Sequence, residues 1–189
     1  MLASASPRRA QLLRAAGFSF DTLAVDIDER VRPGEPPAEY VRRLAAEKSA
    51  AAQCRLPQDA VVLGADTAVV VDGDVLGKPR DSADAERMLR RLSGRRHEVM
   101  TGVSVRRGDT EIGRVETTGM HCRVLSDADV SSYVASGEGR DKAGAYALQG
   151  WASRFVLRID GSYSNVVGLP MACACELLRR VWSTSLASR

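Results

Sequence analysis

Histidine is nearly absent from this chain: His97 and His121 are the only two in 189 residues. They do not stand at ligand spacing and both fall in predicted strands, so neither a histidine metal cluster nor a histidine-based triad is indicated. Cysteine is almost as scarce. Cys54, Cys122, Cys173 and Cys175 form no C-x-x-C pair, and Cys173 and Cys175, two apart on a predicted helix, point in different directions; packing is their plainer role. The sequence has no G-x-x-x-x-G-K-[ST] run, no G-x-G-x-x-G run and no G-x-S-x-G elbow. These absences argue against a P-loop nucleotidase, a dinucleotide-binding domain and a serine hydrolase. No apolar run is long enough to span a bilayer, so no membrane partner is expected. The start, Met1-Leu2-Ala3-Ser4, lacks the basic region and apolar core of a secretory leader, and with reduced thiols the expected place is the cytoplasm. A continuous basic block is missing too: 27 basic against 24 acidic residues leave a formal charge of +3. The arginines are scattered among acids, and no nucleic-acid partner is expected.

What is present describes an ordinary globule, with 44% hydrophobic and 27% charged residues. No repeat, low-complexity tract or linker interrupts it, so residues 1–189 are expected to form one domain. Strand-like apolar runs alternate with amphipathic helices, the rhythm of an α/β fold. A short strand over residues 2–4 precedes a helix capped by Ser6 and opened by Pro7. A strand is expected through Phe18, Phe20, Leu23 and Val25, then a helix over residues 38–54. The run AVVLGADTAVVVDGDVLGKP reads as a buried central strand turning at Asp72-Gly73-Asp74. Asp81 and Ser82 open a helix that Gly94 closes. Two strands follow over residues 97–107 and 114–125, then a helix capped by Ser126, a strand over 155–159 and a last helix over 169–182. Trp151 and Trp182 read as core or interface residues.

The candidate chemistry starts from Arg8 and Arg9. Both lie in the first turn of a helix, where the macrodipole is positive; two cations there cost about 0.3–1 kcal/mol each unless something negative lies beside them. Asp66 ends the apolar run at residues 60–65, where α/β folds place ligand-binding groups, and its carboxylate suits Mg²⁺ held with phosphates; alone, it equally well caps a turn. Glu29 offers a second carboxylate, although by itself it reads as a surface acid. Lys48 is in phase with the apolar face of its helix, which implies either a snorkelling head or an anion to meet it. Lys78 follows Gly77 and precedes Pro79, a weak phosphate-loop signal. A helix N-terminus bearing arginines, two lysines and two acids together suggest a polyphosphate ligand.

The ordered motifs LASASPRR, Glu29, AAEKS, LGADT, GKPRD, LSGRRHEVMTGV, DKAGAYALQG and GSYSNVVGLP closely resemble the Maf family of nucleoside triphosphate pyrophosphatases, over nearly the whole chain. The resemblance implies an α/β fold related to that of the inosine triphosphate pyrophosphatases: a central mixed sheet flanked by helices, with two lobes around a cleft. It implies hydrolysis of a nucleoside triphosphate to the monophosphate and pyrophosphate with a divalent cation, Mg²⁺ or Mn²⁺, and suggests a homodimer. Asp66 matches the aspartate assigned as proton acceptor, and Arg8, Thr67 and Gln149 match positions associated with substrate choice. The GADT and AYALQG forms look like the branch acting on dTTP and UTP; a glutamate typically replaces Gln149 in the methylated-guanosine branch. Glu29, Lys48 and Lys78 match other cleft residues. The expected site therefore has Ser6, Arg8, Arg9, Lys48 and Lys78 on phosphate and Glu29 and Asp66 on metal. Two rival readings stand beside it: a pyrophosphatase for modified or other nucleotides, and a non-catalytic nucleotide-sensing regulator of cell division. Family members commonly carry several residues before the LAS motif, where this chain has only Met1, so either a shortened first strand or a misassigned start is expected.

Overall fold

The computed structural model describes residues 1–186. The described residues form a mixed α/β fold in two compact units, one of residues 1–66, 101–116 and 168–186 and the other of residues 67–100 and 117–167. Six strands make one sheet: β1 (Leu2–Ala3), β2 (Val61–Val71), β3 (Asp74–Leu76), β4 (Arg96–Arg107), β5 (Thr110–Cys122) and β6 (Val156–Asp160). Their order is β1-β2-β4-β5-β6, with β3 also paired to β2. β1 runs parallel to β2, Leu2 opposite Leu63 and Ala3 opposite Gly64, whereas β3 and β6 are antiparallel to their neighbours. The helices are α1 (Pro7–Ala15), α2 (Pro37–Gln53), α3 (Ser82–Leu92), α4 (Asp127–Ser136), α5 (Tyr163–Val167) and α6 (Met171–Leu186). Among the described residues, no helix is long and apolar enough to cross a membrane.

In the first unit, alternation along β2 sends side chains to two differently covered faces. Leu63 and Ala65 join Leu13 of α1 and Leu177 and Val181 of α6 in one apolar cluster. Gly64 faces α2, whose Val41, Leu44, Ala45 and Ala52 are fully buried. A methyl group on Gly64 would strike the Ala45 carbonyl oxygen and lie 2.8 Å from the Ser49 backbone nitrogen. Gly102 of β4 is covered as closely, by the backbone of Val41 and Arg42. The helix thus lies directly on two strands at positions where side chains are missing. Asp66 falls on the same face of β2 as Gly64, the face that looks at α2.

In the second unit, Met88, Leu89 and Leu92 of α3 pack with Val130 and Tyr133 of α4, Val99, Met120 and Phe155. Asp81 caps α3 by accepting from the Asp84 N–H at 2.7 Å, and Ser126 with Asp129 completes a capping box on α4. The β2–β3 turn has both Asp72 and Gly73 at positive φ, 53° and 81°. That matches the hairpin turn whose twist suits antiparallel strands.

Two local expectations change. The strand expected through Phe18 to Val25 is reduced to one bridge, Leu2 with Thr22, because the β1 edge available to it is only two residues long. The segment still follows that edge: Leu2 N donates to Asp21 O at 2.8 Å and Leu23 N to Leu2 O at 2.9 Å. Helix α5 lies in the GSYSNVVGLP motif, whose five helical residues are too few to show a period. Its Asn165 is fully buried and donates from Nδ2 to Val99 O at 2.9 Å and Thr118 Oγ1 at 3.0 Å. Trp151 packs beside Tyr133, ring centroids 5.8 Å apart, while Trp182 is exposed.

Candidate active site

Three of the expected residues meet in the first unit. Lys48 reaches up from the buried face of α2, and its Nζ lies 2.6 Å from Asp66 Oδ1 and 2.6 Å from Glu29 Oε1. Asp66 comes from the buried face of β2. Glu29 comes from an irregular segment before α2 and has the most exposed side chain of the three, at 52%. The burial of Lys48, 8% exposed as a residue, is tolerable because its head has these two carboxylates as partners.

Arg9 lies at the back of this cluster. Its guanidinium is buried, and Nε donates to Gly168 O at 2.8 Å while Nη1 donates to Ala65 O at 2.8 Å and Ser4 Oγ at 3.2 Å. Carbonyl dipoles therefore supply much of the negative environment this cation needs at a helix N-terminus. Burial lowers the Arg9 pKa, and the charges of Asp66 and Glu29 oppose that shift. Arg8, half-buried in the same turn, exerts a repulsion on Arg9 that acts in the direction of burial. Ser6 occupies the N-cap of α1, but its side chain makes no capping hydrogen bond; its N–H donates to Ser4 Oγ at 3.1 Å.

The remaining expected residues belong to the second unit. Lys78 is exposed in the loop after β3, and Gln149 is exposed in the segment before Trp151. The two loops are tied together: Gly144 N donates to Gly77 O at 3.1 Å. Gly144 has φ of 68°, and a Cβ there would lie 2.9 Å from Val69 Cγ1, so only glycine fits both the turn and the approach. Tyr133 supports the Gln149 segment by accepting from Ala147 N at 3.0 Å and donating to Glu138 Oε1 at 3.1 Å; Glu138 Oε2 accepts from Trp151 N at 2.9 Å. Thr67 follows Asp66 on β2, half-buried. A cavity of about 350 Å³ in this unit, lined by Pro79, Arg80, Asp81, Tyr133 and Arg140 among others, includes none of the expected site residues.

Two residues that the sequence did not mark hold the Glu29 segment on α2. Tyr40 Oη donates to Glu29 O at 2.9 Å, and Arg43 donates to Arg30 O at 3.1 Å and to both oxygens of Glu35. The Arg43 hydrogen bond is the main cause that pulls Glu35 down to about 2. A signal was available: Tyr40, Arg43 and Glu47 recur at i, i+3 and i+7, one helical row beside Lys48.

Among the described residues, no group of three or more His, Cys, Asp or Glu is arranged to hold a metal ion. Glu29 and Asp66 nevertheless fit one held jointly with a substrate. The pair already shares one cation, the Lys48 ammonium, and Mg²⁺ commonly takes one or two carboxylates and completes its shell with phosphate oxygens and water.

The Maf-like protein family model matches residues 1–181. The chain belongs to the Maf-like family. Among this Maf-like chain's relatives is a protein named dTTP/UTP pyrophosphatase from Anaeromyxobacter dehalogenans (strain 2CP-C), 54% identical over 184 residues, which are 95% of this chain and 92% of the relative. Proteins of the same name from Geobacter sulfurreducens and Methylococcus capsulatus are 51% and 48% identical, over 96% of this chain in each case and 95% and 90% of theirs. A solved nucleoside-triphosphatase / dITP/XTP pyrophosphatase from Mycobacterium abscessus aligns with 14% identity and a TM-score of 0.41, over 66% of this chain and 74% of its own. That likeness is too partial to bear on the site.

Proposed function

We propose that this Maf-like chain is a nucleoside triphosphate pyrophosphatase that hydrolyses dTTP and UTP to the nucleoside monophosphate and pyrophosphate, using a divalent cation, Mg²⁺ or Mn²⁺. The observation that carries the reading is the convergence of Glu29, Lys48 and Asp66 at 2.6 Å contacts, in a chain about half identical to proteins of that name. The whole chain, residues 1–189, acts as one catalytic domain.

Water attacks the α-phosphorus, the bond from that phosphorus to the bridging oxygen breaks, and pyrophosphate leaves with the bridging oxygen. Asp66 orients the water and accepts its proton. Glu29 and Asp66 would hold the metal, which when bound supplies positive charge to the triphosphate oxygens. Lys48, with Arg8, Lys78 and the α1 N-terminus at Ser6, neutralises charge that moves onto the leaving pyrophosphate. Arg9 adds its charge from behind Ala65. Gln149 reads the base, because an amide both donates and accepts and so matches the adjacent carbonyl and N–H of uracil or thymine; Arg8 and Thr67 share in substrate choice. The reading includes the cytoplasm, where free nucleotides are held, and the homodimer suggested by the family resemblance, which sedimentation would test.

The deciding experiment is pyrophosphate release from a panel of nucleoside triphosphates with Mg²⁺, with Mn²⁺ and with chelator. Turnover of dTTP and UTP that needs the cation is expected. Release from none of the nucleotides would leave a binding module in place of an enzyme, and preference for a modified or purine nucleotide would move the substrate.

A further inference from the structure

Glu29 lies in a stretch without regular secondary structure, between the Leu2–Thr22 bridge and α2, yet its carboxylate must meet Lys48 to within hydrogen-bond distance. Something outside that stretch has to fix it. Besides the Lys48 ion pair, polar contacts from one row of α2 reach residues 29–35. Tyr40 Oη donates to the backbone oxygen of Glu29 at 2.9 Å, Arg43 Nη2 to that of Arg30 at 3.1 Å, and Glu47 accepts from Arg32 Nη2 at 3.0 Å. Glu35, only 8% exposed in its side chain, closes the arrangement by accepting from Arg43 and from Arg32 N at 3.0 Å. The guanidinium of Arg43 also lies over the Tyr40 ring, 5.6 Å from its centroid, which restrains both side chains.

Of these contacts only the Tyr40 hydroxyl touches Glu29 itself. It binds the backbone oxygen and leaves the carboxylate open to Lys48. Burial, and then the charges of Asp66 and Glu29, push the Tyr40 phenol up to about 12, so near neutral pH it is a protonated donor within the field of both acids.

We propose that Tyr40 is the positioning residue of Glu29: the phenol, on the same helix as Lys48, sets where the Glu29 carboxylate stands relative to Lys48 and Asp66. This rests on the proposed pyrophosphatase reading, in which Glu29 belongs to the site. Tyr40 takes part in no bond-making step. It acts through the backbone of one neighbour.

The test combines Tyr40→Phe, Glu29→Ala and the double variant in the full chain. Wild-type turnover of dTTP or UTP with Mg²⁺ and its loss in Glu29→Ala examine the reading; Tyr40→Phe examines the inference. One hydrogen bond to a backbone oxygen is removed, so Tyr40→Phe is expected to lower kcat/KM about three- to tenfold, while amide hydrogen exchange of residues 27–32 speeds up and that of residues 44–53 does not. The double variant should turn over no more slowly than Glu29→Ala alone, because the residue Tyr40 works through is gone. An equal fold loss from Tyr40→Phe in both backgrounds would overturn the proposal, as would an unchanged kcat/KM. Should Glu29→Ala leave no measurable turnover, the exchange readout decides: unchanged exchange at residues 27–32 in Tyr40→Phe overturns it, and faster exchange there alone supports it.

Discussion

A lysine in phase with the apolar face of a helix has to find a negative partner or snorkel, and Lys48 finds two. The need for a partner or a snorkelling head was legible from residue spacing, as was Asp66 at the far end of an apolar run; Glu29 alone read as a surface acid, and only the family resemblance set it in the site. The surroundings of Arg9 were not legible. Backbone carbonyls such as Gly168 O and Ala65 O carry no side-chain signature, so a cation that donates to them looks in sequence like one awaiting an anion. Two substitutions examine the site at this scale. Asp66→Asn keeps the size of the side chain and a hydrogen-bonding oxygen but loses basicity; pyrophosphate release is expected to fall at least a hundredfold, the order of a general-base contribution, with the circular dichroism spectrum unchanged. Gln149→Glu can only accept, so the ratio of kcat/KM for UTP to that for GTP should drop by about tenfold or more, on the scale of a lost pair of base contacts; competition assays read that ratio directly.

Two of the helices announced themselves by their ends. Asp81 and Ser126 cap where their chemistry says they should, and Asp72-Gly73 turns the β2–β3 hairpin for the reason that its residues tolerate positive φ. The strand expected near Phe18 failed for a reason no local pattern carries, namely the two-residue length of the edge it would have joined. Between these lies the seating of α2 on β2 and β4, visible in sequence only as two glycines. Gly64 and Gly102 allow backbone to meet backbone there, and that spacing sets how far Lys48 stands from Asp66. Gly64→Ala is expected to cost about 1–3 kcal/mol in urea unfolding, the usual range for overpacking a filled core. Because the strain lifts one partner of the ion pair off the other, kcat should fall as well, by more than the unfolded fraction explains. Activity per folded molecule, measured well below the unfolding midpoint, checks this.

Across the molecule as a whole, the response to acid divides into two ranges. His97 is buried with Nε2 2.8 Å from the Tyr146 hydroxyl, and burial, then the charge interactions with His121 and Arg96, push it down to about 4. The unfolded chain takes up a proton near the ordinary value of about 6.5 and the folded chain does not until near 4. This contribution is therefore complete above pH 6.5 and is lost as pH falls toward 4. Glu35, held near 2 chiefly by Arg43, gives way only below the ordinary carboxylate range, while the Met1 amino group, lowered by burial, loses its share over the neutral range, so the difference between wild type and a His97 variant is what reports on His97. Urea midpoints should decline from pH 7 to pH 5, and His97→Gln should flatten that decline. Tolerance to substitution follows a different asymmetry, which begins at the ammonium shared by two acids. Strike out either carboxylate and the cation keeps a neighbour of opposite sign, so the damage registers in turnover while the molecule keeps its shape. Strike out the lysine and both acids lose a partner at once, so that their mutual repulsion grows.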